Sequence, residues 1–290
     1  IVEPTEDRAF TLVAEAVDRS GMARATFAPR PGMTAEVPPL RERPLATMKD
    51  MGMDMSAMDG MAGMDHGDMP GMDHGMMPVP GMGPPRVRGS DVMGDMSAME
   101  DMGMDMSMRN WMNAPQVEMG PGVQTIAPMP MDRTGETGQG LESVGHRVLV
   151  YRDLIALEPN QDTRAPSREL EIRLTGNMER FMWGFDGRKF SDNPPPYAFR
   201  KNERVRVSLV NDTMMAHPIH LHGHFFQLAQ KAPLGHMPRK HTVIVAPGGV
   251  VKWDFTAEPG DWAFHCHMLY HMHAGMFQVF SVRPVAGDIA

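Results

Sequence analysis

Residues 265–276 read His-Cys-His-Met-Leu-Tyr-His-Met-His-Ala-Gly-Met, and residues 217–224 read His-Pro-Ile-His-Leu-His-Gly-His. Together they hold the only cysteine of the 290-residue chain and eight of its thirteen histidines, so they are the first place to look for a metal site. Apolar residues flank both segments. Each is therefore predicted to be a β-strand or the end of one.

Strand alternation divides these side chains into two sets. Successive side chains of a strand point to opposite faces, so His220 and His222 share a face and His217 lies on the other. Cys266 opposes its two flanking histidines in the same way, provided that no bulge intervenes. The first predicted set is His217, Cys266, His271 and Met276, and the second is His220, His222, His265 and His267.

The two sets suit copper in two different roles. A thiolate and two imidazoles, with a weak thioether from Met276, are the ligands of a blue-copper electron-transfer site. An all-imidazole cluster leaves coordination positions open for a small molecule that is to be reduced. Cys266 is joined through the backbone to His265 and His267, so an electron at its sulfur has a covalent route to the second set. These three residues are the candidate catalytic residues.

Other interpretations of these residues are weaker. Zinc is the main competing metal, but its structural sites usually take four ligands in one tetrahedron and commonly use paired cysteines. A catalytic Cys-His nucleophile is disfavoured because nothing in the sequence supplies an oxyanion hole or an orienting Asn. The remaining nearby histidines are expected to support the ligands or lie at the surface: His224, His236, His241 and His273.

The two segments resemble the C-terminal copper motifs of multicopper oxidases. Residues 211–228 (NDTMMAHPIHLHGHFFQL) and 258–280 (EPGDWAFHCHMLYHMHAGMFQVF) are similar to the copper-resistance protein A branch of that family, and the likeness runs from about Tyr151 to Val282. The resemblance implies a cupredoxin domain with three kinds of copper. It assigns type 1 copper to His217, Cys266, His271 and Met276, type 2 copper to His220, and type 3 copper to His222, His265 and His267.

One part of the family pattern is missing from this sequence. The resemblance implies that two further H-x-H motifs, in an N-terminal domain, complete the trinuclear copper cluster. Before His217 the chain contains only His66, His74 and His146. We therefore expect it to be the C-terminal part of a longer oxidase, with upstream cupredoxin domains of the same protein as partners. Completion of the cluster across a subunit interface is disfavoured, because no other segment supplies the histidines.

Residues 1–45 are predicted to be the closing strands of a preceding cupredoxin-like domain. Phe10 to Val17 and Met22 to Phe27 form a hairpin pattern around the turn Asp18-Arg19-Ser20-Gly21. One hairpin cannot build a core on its own. The hairpin is therefore interpreted as a remnant of a domain whose other strands lie upstream.

Residues 46–140 are predicted to be a flexible copper-binding linker. Twenty-three of the thirty-three methionines lie between Met48 and Met131, among many Gly and Pro, and such a composition predicts disorder. Thioethers prefer Cu(I), so a copper-capturing role is favoured over a passive acidic linker, which has no need of oxidisable methionine. The candidate capture residues are Met51, Met53, Met55, Met64, His66, Met72, His74, Met102, Met104 and Met106.

Residues 141–290 are predicted to form an all-β, cupredoxin-like Greek-key β-sandwich, because short apolar strands alternate with Gly and Pro turns. Besides the histidine segments, strands are predicted at Arg147–Leu157, Glu169–Leu174, Arg204–Val210, Phe225–Gln230, His241–Val245, Val250–Phe255 and Phe277–Val282. Core residues are expected among Met178, Met182, Trp183, Met214, Met215 and Met268. The alternative is that a few of them form a substrate Met site near the type 1 copper.

Charge narrows the range of partners. Between Met48 and Met119 the chain has twelve acidic and four basic residues, a local charge of −8 that equals the net charge of the whole chain. The rest of the chain is therefore close to neutral. A nucleic acid, which binds to basic surfaces, is not an expected partner. No run is long enough to span a bilayer. A lone cysteine forms no internal disulfide and does not report the compartment. The resemblance implies the periplasm, and we expect a monomer.

The predicted function is oxidation of Cu(I), or of phenolic donors, at type 1 copper, with dioxygen reduced to water at the trinuclear cluster. Copper is the cofactor, and copper ions and dioxygen are the partners. The alternative is a non-enzymatic periplasmic protein that sequesters copper or carries electrons. The chain alone is expected to bind type 1 copper and to lack oxidase turnover.

Overall fold

The computed structural model describes residues 3–45, 47, 50, 109–233 and 235–284. All ten candidate copper-capture residues, from Met51 to Met106, lie outside this part of the chain. The chain divides into two compact units. One comprises Ile1–Ala46 with Glu136–Val150, and the other comprises Thr47–Gly135 with Tyr151–Ala290.

The smaller unit contains the predicted hairpin. Strands β1 (Phe10–Glu15) and β2 (Met22–Phe27) pair antiparallel. Arg19 takes the left-handed conformation that the turn requires, with φ of 62°. Among the described residues of this unit, Ala9 is the only buried apolar side chain, as expected of a hairpin without its own core.

The larger unit is built from twelve further strands within the described residues. They are β3 (Met131–Asp132), β4 (Arg168–Asn177), β5 (Met182–Phe185), β6 (Tyr197–Arg200), β7 (Arg204–Asn211), β8 (His217–Leu221), β9 (Phe226–Leu228), β10 (Arg239–Lys240), β11 (Thr242–Val245), β12 (Gly249–Thr256), β13 (Gly260–Cys266) and β14 (Phe277–Arg283). One short helix, α1 (Leu269–His273), follows β13.

These strands form two sheets that enclose one core. The first sheet has the order β10-β9-β12-β7-β4-β5, with β3 added parallel to β12, and the second has the order β11-β8-β13-β14-β6. Apolar side chains of both sheets share a single buried cluster. Trp253 of the first sheet stacks on Phe226 with ring centroids 4.4 Å apart. The all-β sandwich is therefore confirmed.

The predicted strand Arg147–Leu157 is wrong. Tyr151–Asp153 forms a 3₁₀ turn instead, and Leu149 and Leu157 are exposed. The Tyr151 hydroxyl accepts a hydrogen bond from the backbone N–H of Ile244 in β11, at 2.8 Å. The Tyr151 side chain therefore uses a backbone N–H at the edge of β11, and an additional strand would need that N–H for pairing.

Five of these elements were not predicted: β3, β5, β6, β10 and α1. β5 is only four residues long and lies between Phe181 and Asp186, both with positive φ, so it is too short to show a periodicity. The expectation of core side chains is confirmed for Trp183, which is 1% exposed. It is wrong for three methionines that are exposed, namely Met178, Met214 and Met268.

Residues 110–127 lie within the range 46–140 that is predicted to be a flexible linker. In the structure they pack against the β4–β5 hairpin. Val117, Val123 and Ile126 form a small buried cluster with Ala114. The backbone N–H of Gln124 donates to the carbonyl of Gly176 at 2.9 Å. Apolar side chains spaced along this stretch distinguish it from the Met- and Gly-rich sequence before it.

Within the described residues, no helix has both the length and the apolar character needed to cross a membrane.

Candidate metal centre

Two adjacent strands of the second sheet carry the histidine-rich segments. In β8, His217, Ile219 and Leu221 are buried, and the residues between them are partly exposed. β13 pairs antiparallel with β8, so Cys266 lies opposite Ile219, and His265 lies opposite His220. The predicted division into two faces is confirmed, with His217 and Cys266 on the core face.

Helix α1 returns the chain to the end of β13. His271 is its buried residue. The backbone N–H of Met276 donates to the His271 carbonyl at 3.0 Å, and the Met276 carbonyl accepts from the Cys266 N–H at 3.1 Å. Gly275 makes this return possible, because its φ is +126° and a Cβ there would lie 2.6 Å from the carbonyl oxygen of Trp183.

Three donor atoms converge in the interior. The distances are 3.7 Å from Cys266 Sγ to His217 Nδ1, 3.9 Å from Cys266 Sγ to His271 Nδ1, and 3.2 Å between the two Nδ1 atoms. Nitrogen and sulfur ligands at bond lengths of about 2.0 to 2.3 Å, spread around one ion, are roughly 3.5 to 4 Å apart. The three residues fit a single metal ion, and they are the one such group among the described residues.

Burial sets the protonation of these groups. His217 and Cys266 are 0% exposed, and the fourth predicted member, Met276, is also fully buried. Loss of hydration lowers the pKa of His217 to about 3, with a further contribution from His271, and burial also lowers the pKa of His271. Burial raises the pKa of the Cys266 thiol to about 11. Both imidazoles are therefore neutral and keep a lone pair, while the thiol must lose its proton to a metal.

Two residues that the sequence did not identify as site residues contact the histidines. The Trp183 indole stacks on His271, with centroids 4.0 Å apart and planes 18° from parallel, and meets His217 edge-on. The Thr213 hydroxyl lies 2.7 Å from His217 Nε2. The contact with Trp183 joins residues far apart in the chain, whereas Thr213 lies only four positions before His217. The spacing of metal-ligand residues marks neither of them.

The second set of histidines gathers at the other face of the same strands. His220 Nδ1 donates to the carbonyl of His241 at 2.6 Å, and His265 Nδ1 donates to the carbonyl of Cys266 at 2.9 Å, so each keeps Nε2 for another partner. His222 Nε2 lies 3.0 Å from His265 Nε2. These two Nε2 atoms lie close enough to bind the same metal ion.

The four rings are not equally close. The His220 ring centroid is 4.7 Å from that of His222 and 5.6 Å from that of His267, and His222 and His267 are exposed. Among the described residues these histidines do not form a second group of three donor atoms within 4.8 Å of one another.

The other nearby histidines have different environments. His224 is buried, its Nδ1 donates to the His222 carbonyl at 3.0 Å, and its Nε2 accepts from the N–H of Glu258 at 3.0 Å. It therefore supports the chain around His222. His241 is exposed, as expected, and its ring lies 5.1 Å from that of His220. His236 Nδ1 donates to the carbonyl of Ala156 at 3.0 Å.

A two-sheet β-sandwich that buries a His, Cys and His set beside a Met is a copper-binding domain of the cupredoxin class. The profile of the family described as multicopper oxidase matches residues 163–286. Two curated relatives are each 44% identical over 98% of this chain: the copper resistance protein A homolog of Pseudomonas syringae pv. tomato, of which 46% is covered, and copper resistance protein A of Escherichia coli, of which 47% is covered. The chain thus spans about half the length of these relatives.

Residues 163–286 belong to the multicopper oxidase family, whose cofactor is copper. Among solved structures, the multicopper oxidase McoA of Aquifex aeolicus matches 49% of this chain and 33% of its own, with 25% identity and a TM-score of 0.38.

Proposed function

We propose that this chain is the C-terminal portion of a copper-resistance oxidase and that its buried site holds type 1 copper. His217, Cys266 and His271 would supply the strong ligands, and Met276 a weak thioether ligand. The observation that carries the proposal is the convergence of two Nδ1 atoms and one Sγ, all buried, within 4.8 Å of one another. Two imidazoles, a thiolate and a thioether favour copper that alternates between Cu(I) and Cu(II).

We assign the second set to the oxygen-reducing side. His220 would hold type 2 copper, and His222, His265 and His267 would hold type 3 coppers. The hydrogen bonds from His220 Nδ1 and His265 Nδ1 to backbone carbonyls support this, because they orient each Nε2 outward for a metal. The remaining ligands would come from the part of the protein that this chain does not contain.

Copper bound at these two places would supply one-electron oxidation of the donor and reduction of dioxygen to water. The chain itself provides the connection. Cys266 is bonded directly to His265 and His267, and the hydrogen bond from His265 Nδ1 to the Cys266 carbonyl adds a second link. Cys266, His265 and His267 are therefore the residues that would couple the two sites.

The preferred donor is Cu(I), and phenols are the alternative donors. The ring centroid of His271 lies 6.1 Å from that of Phe181, an apolar side chain that is 51% exposed. Trp183 covers the face of the same imidazole and keeps water from it. A soft, weakly hydrated donor such as Cu(I) suits this apolar edge better than a strongly hydrated ion.

Three further parts of the proposal concern the protein's surroundings. The Met-rich residues from Met51 to Met106 would capture Cu(I) and raise its concentration near the oxidising site, since a tethered segment acts at high effective concentration. The compartment would be the periplasm, as in the copper-resistance branch of the family. The protein would act as a monomer.

Rapid mixing with Cu(I) and oxygen-electrode measurements test this function. The copper-loaded chain should accept an electron from Cu(I), seen as bleaching of its visible band, without sustained oxygen consumption. A matched Cys266→Ser variant should show no such bleaching. Sustained oxygen consumption by the 290 residues would refute the claim that the cluster is incomplete, and failure of Cu(I) to bleach the band would refute Cu(I) as the donor.

A further inference from the structure

The side of His217 that faces away from Cys266 is held by a buried polar group. The hydroxyl of Thr213, a residue that is 4% exposed, lies 2.7 Å from His217 Nε2. His217 Nδ1 is the atom that faces Cys266. The two ring nitrogens therefore have different neighbours, and the proton on the neutral ring must be on one of them.

The orientation of Asn211 fixes the hydrogen bonds around Thr213. Asn211 is fully buried, and its Nδ2 donates to the carbonyls of Met215 at 2.7 Å and Val245 at 2.9 Å. Its Oδ1 accepts from the backbone N–H of Thr213 at 2.9 Å. A flipped amide would face two carbonyls with its oxygen and an N–H with its nitrogen, so only this orientation is satisfied.

The proton of the Thr213 hydroxyl has two acceptors other than His217. Asn211 Oδ1 lies 2.8 Å from Thr213 Oγ1 and the Met215 carbonyl lies 3.1 Å from it, and both can only accept. With its proton directed to either of these acceptors, Thr213 Oγ1 offers His217 a lone pair. His217 Nε2 must then carry the proton and donate it, which leaves the lone pair on Nδ1, toward Cys266 and His271.

We propose that Asn211 and Thr213 are positioning residues that hold His217 in its Nε2–H tautomer and so aim its Nδ1 lone pair at the copper site. The inference rests on the proposed type 1 site. Histidines that bind metals generally donate their other N–H to a fixed acceptor, and removal of such acceptors typically weakens metal binding by about 10- to 100-fold. In this chain the acceptor is a hydroxyl whose own proton is directed elsewhere by Asn211.

Two substitutions and a matched control test the proposal in the full chain. Thr213→Val removes the acceptor and keeps the shape, and Thr213→Ser keeps the hydroxyl. Thr175→Val is the control, because Thr175 is 1% exposed and its hydroxyl binds only backbone groups of Gly184 and Gly187 among the described residues. All three variants alter a buried threonine, but only those at position 213 alter the contact with His217.

The first measurement is the nitrogen chemical shifts of His217 in metal-free, ¹⁵N-labelled protein. The wild type and Thr213→Ser should show a protonated Nε2, whereas Thr213→Val should populate the Nδ1–H form. The second is copper affinity by competition with a chelator. Thr213→Val should bind about 10- to 100-fold more weakly than Thr175→Val, and Thr213→Ser should stay within about threefold of the wild type.

A protonated Nδ1 in the wild type would overturn the proposal, and so would equal copper affinities of Thr213→Val and Thr175→Val. A wild-type chain that binds no copper at all would refute the type 1 site instead. The nitrogen shifts of metal-free wild type and Thr213→Val would still decide the tautomer in that case: a shift to Nδ1–H supports the role of Thr213, and identical shifts overturn it.

Discussion

Replacement of Trp183 by Phe should alter the copper site more than it alters stability. Trp183 is 1% exposed, and it stacks on His271 with centroids 4.0 Å apart. The smaller ring buries less apolar surface, and this loss costs about 1 to 2 kcal/mol at 25 cal/mol per Å². The Trp183 indole N–H has no hydrogen-bond partner among the described residues, and removing such a buried donor returns about 1 to 3 kcal/mol.

These two effects oppose each other. Trp183→Phe should therefore change the free energy of unfolding of the metal-free protein by no more than about 2 kcal/mol, whereas Trp183→Ala should lower it by about 3 to 5 kcal/mol through the cavity it leaves. The His271 imidazole would lose part of its flat support in both variants. We expect about tenfold weaker copper binding by Trp183→Phe, since the support of a ligand is altered.

Trp253 provides the matched control. It is also fully buried, stacks on Phe226, and has an indole N–H without a hydrogen-bond partner in the described part of the chain. Urea unfolding should show similar stability changes for Trp253→Phe and Trp183→Phe, but only the latter should weaken copper binding in a chelator competition. Equal copper affinities of the two variants would refute the role given to the stacked indole.

Two further predictions follow from the charges. The pKa of the Cys266 thiol is about 11 and that of His217 about 3, so between about pH 6 and 9 the metal displaces one thiol proton and no His217 proton. Cobalt(II), which does not oxidise the thiol, should bind about tenfold more tightly per pH unit, and a flat profile would show that the thiolate is not a ligand. Arg173→Met should lower the free energy of unfolding at pH 7 by about 3 to 5 kcal/mol, because it strands the carboxylate of Asp212, which now accepts two 2.9 Å hydrogen bonds from the guanidinium in a buried pair. Burial raises the pKa of Asp212 to about 6, so its carboxyl takes up a proton as the pH falls through that value, and the deficit should shrink in acid. The exposed pair of Lys252 and Glu169 is the control, since Lys252→Met should cost less than about 1 kcal/mol in the same urea titrations.

The sequence predicts the core of the site because ligand spacing and strand alternation are both local. His217 and Cys266 lie on adjacent strands, and the alternation of each strand decides which face its side chains take. The strands β7 and β12 are also predicted from their apolar residues. Val207 and Trp253 are two of these, and they lie opposite each other in the antiparallel pairing of the two strands.

The remaining features depend on contacts between distant residues. Trp183 stacks on a histidine eighty-eight positions later in the chain, and no periodicity links the two. The wrong strand at Arg147–Leu157 has a similar cause: its residues have strand propensity, but Tyr151 uses its hydroxyl to occupy the edge donor at Ile244. Strand propensity describes the conformation that a segment prefers. Whether the segment joins a sheet depends on a free edge with unpaired backbone groups.

The central claim, that His217, Cys266 and His271 hold copper in a site separate from the histidines of the other face, is tested most directly by comparing wild type with Cys266→Ser. Both proteins are loaded with Cu(II), and their bound copper and visible absorption are measured. The wild type should show the intense visible band of a thiolate bound to Cu(II), and Cys266→Ser should lose that band while it retains copper at the histidine set. An intense band that survives in Cys266→Ser, or one that is absent from the copper-loaded wild type, would contradict the claim.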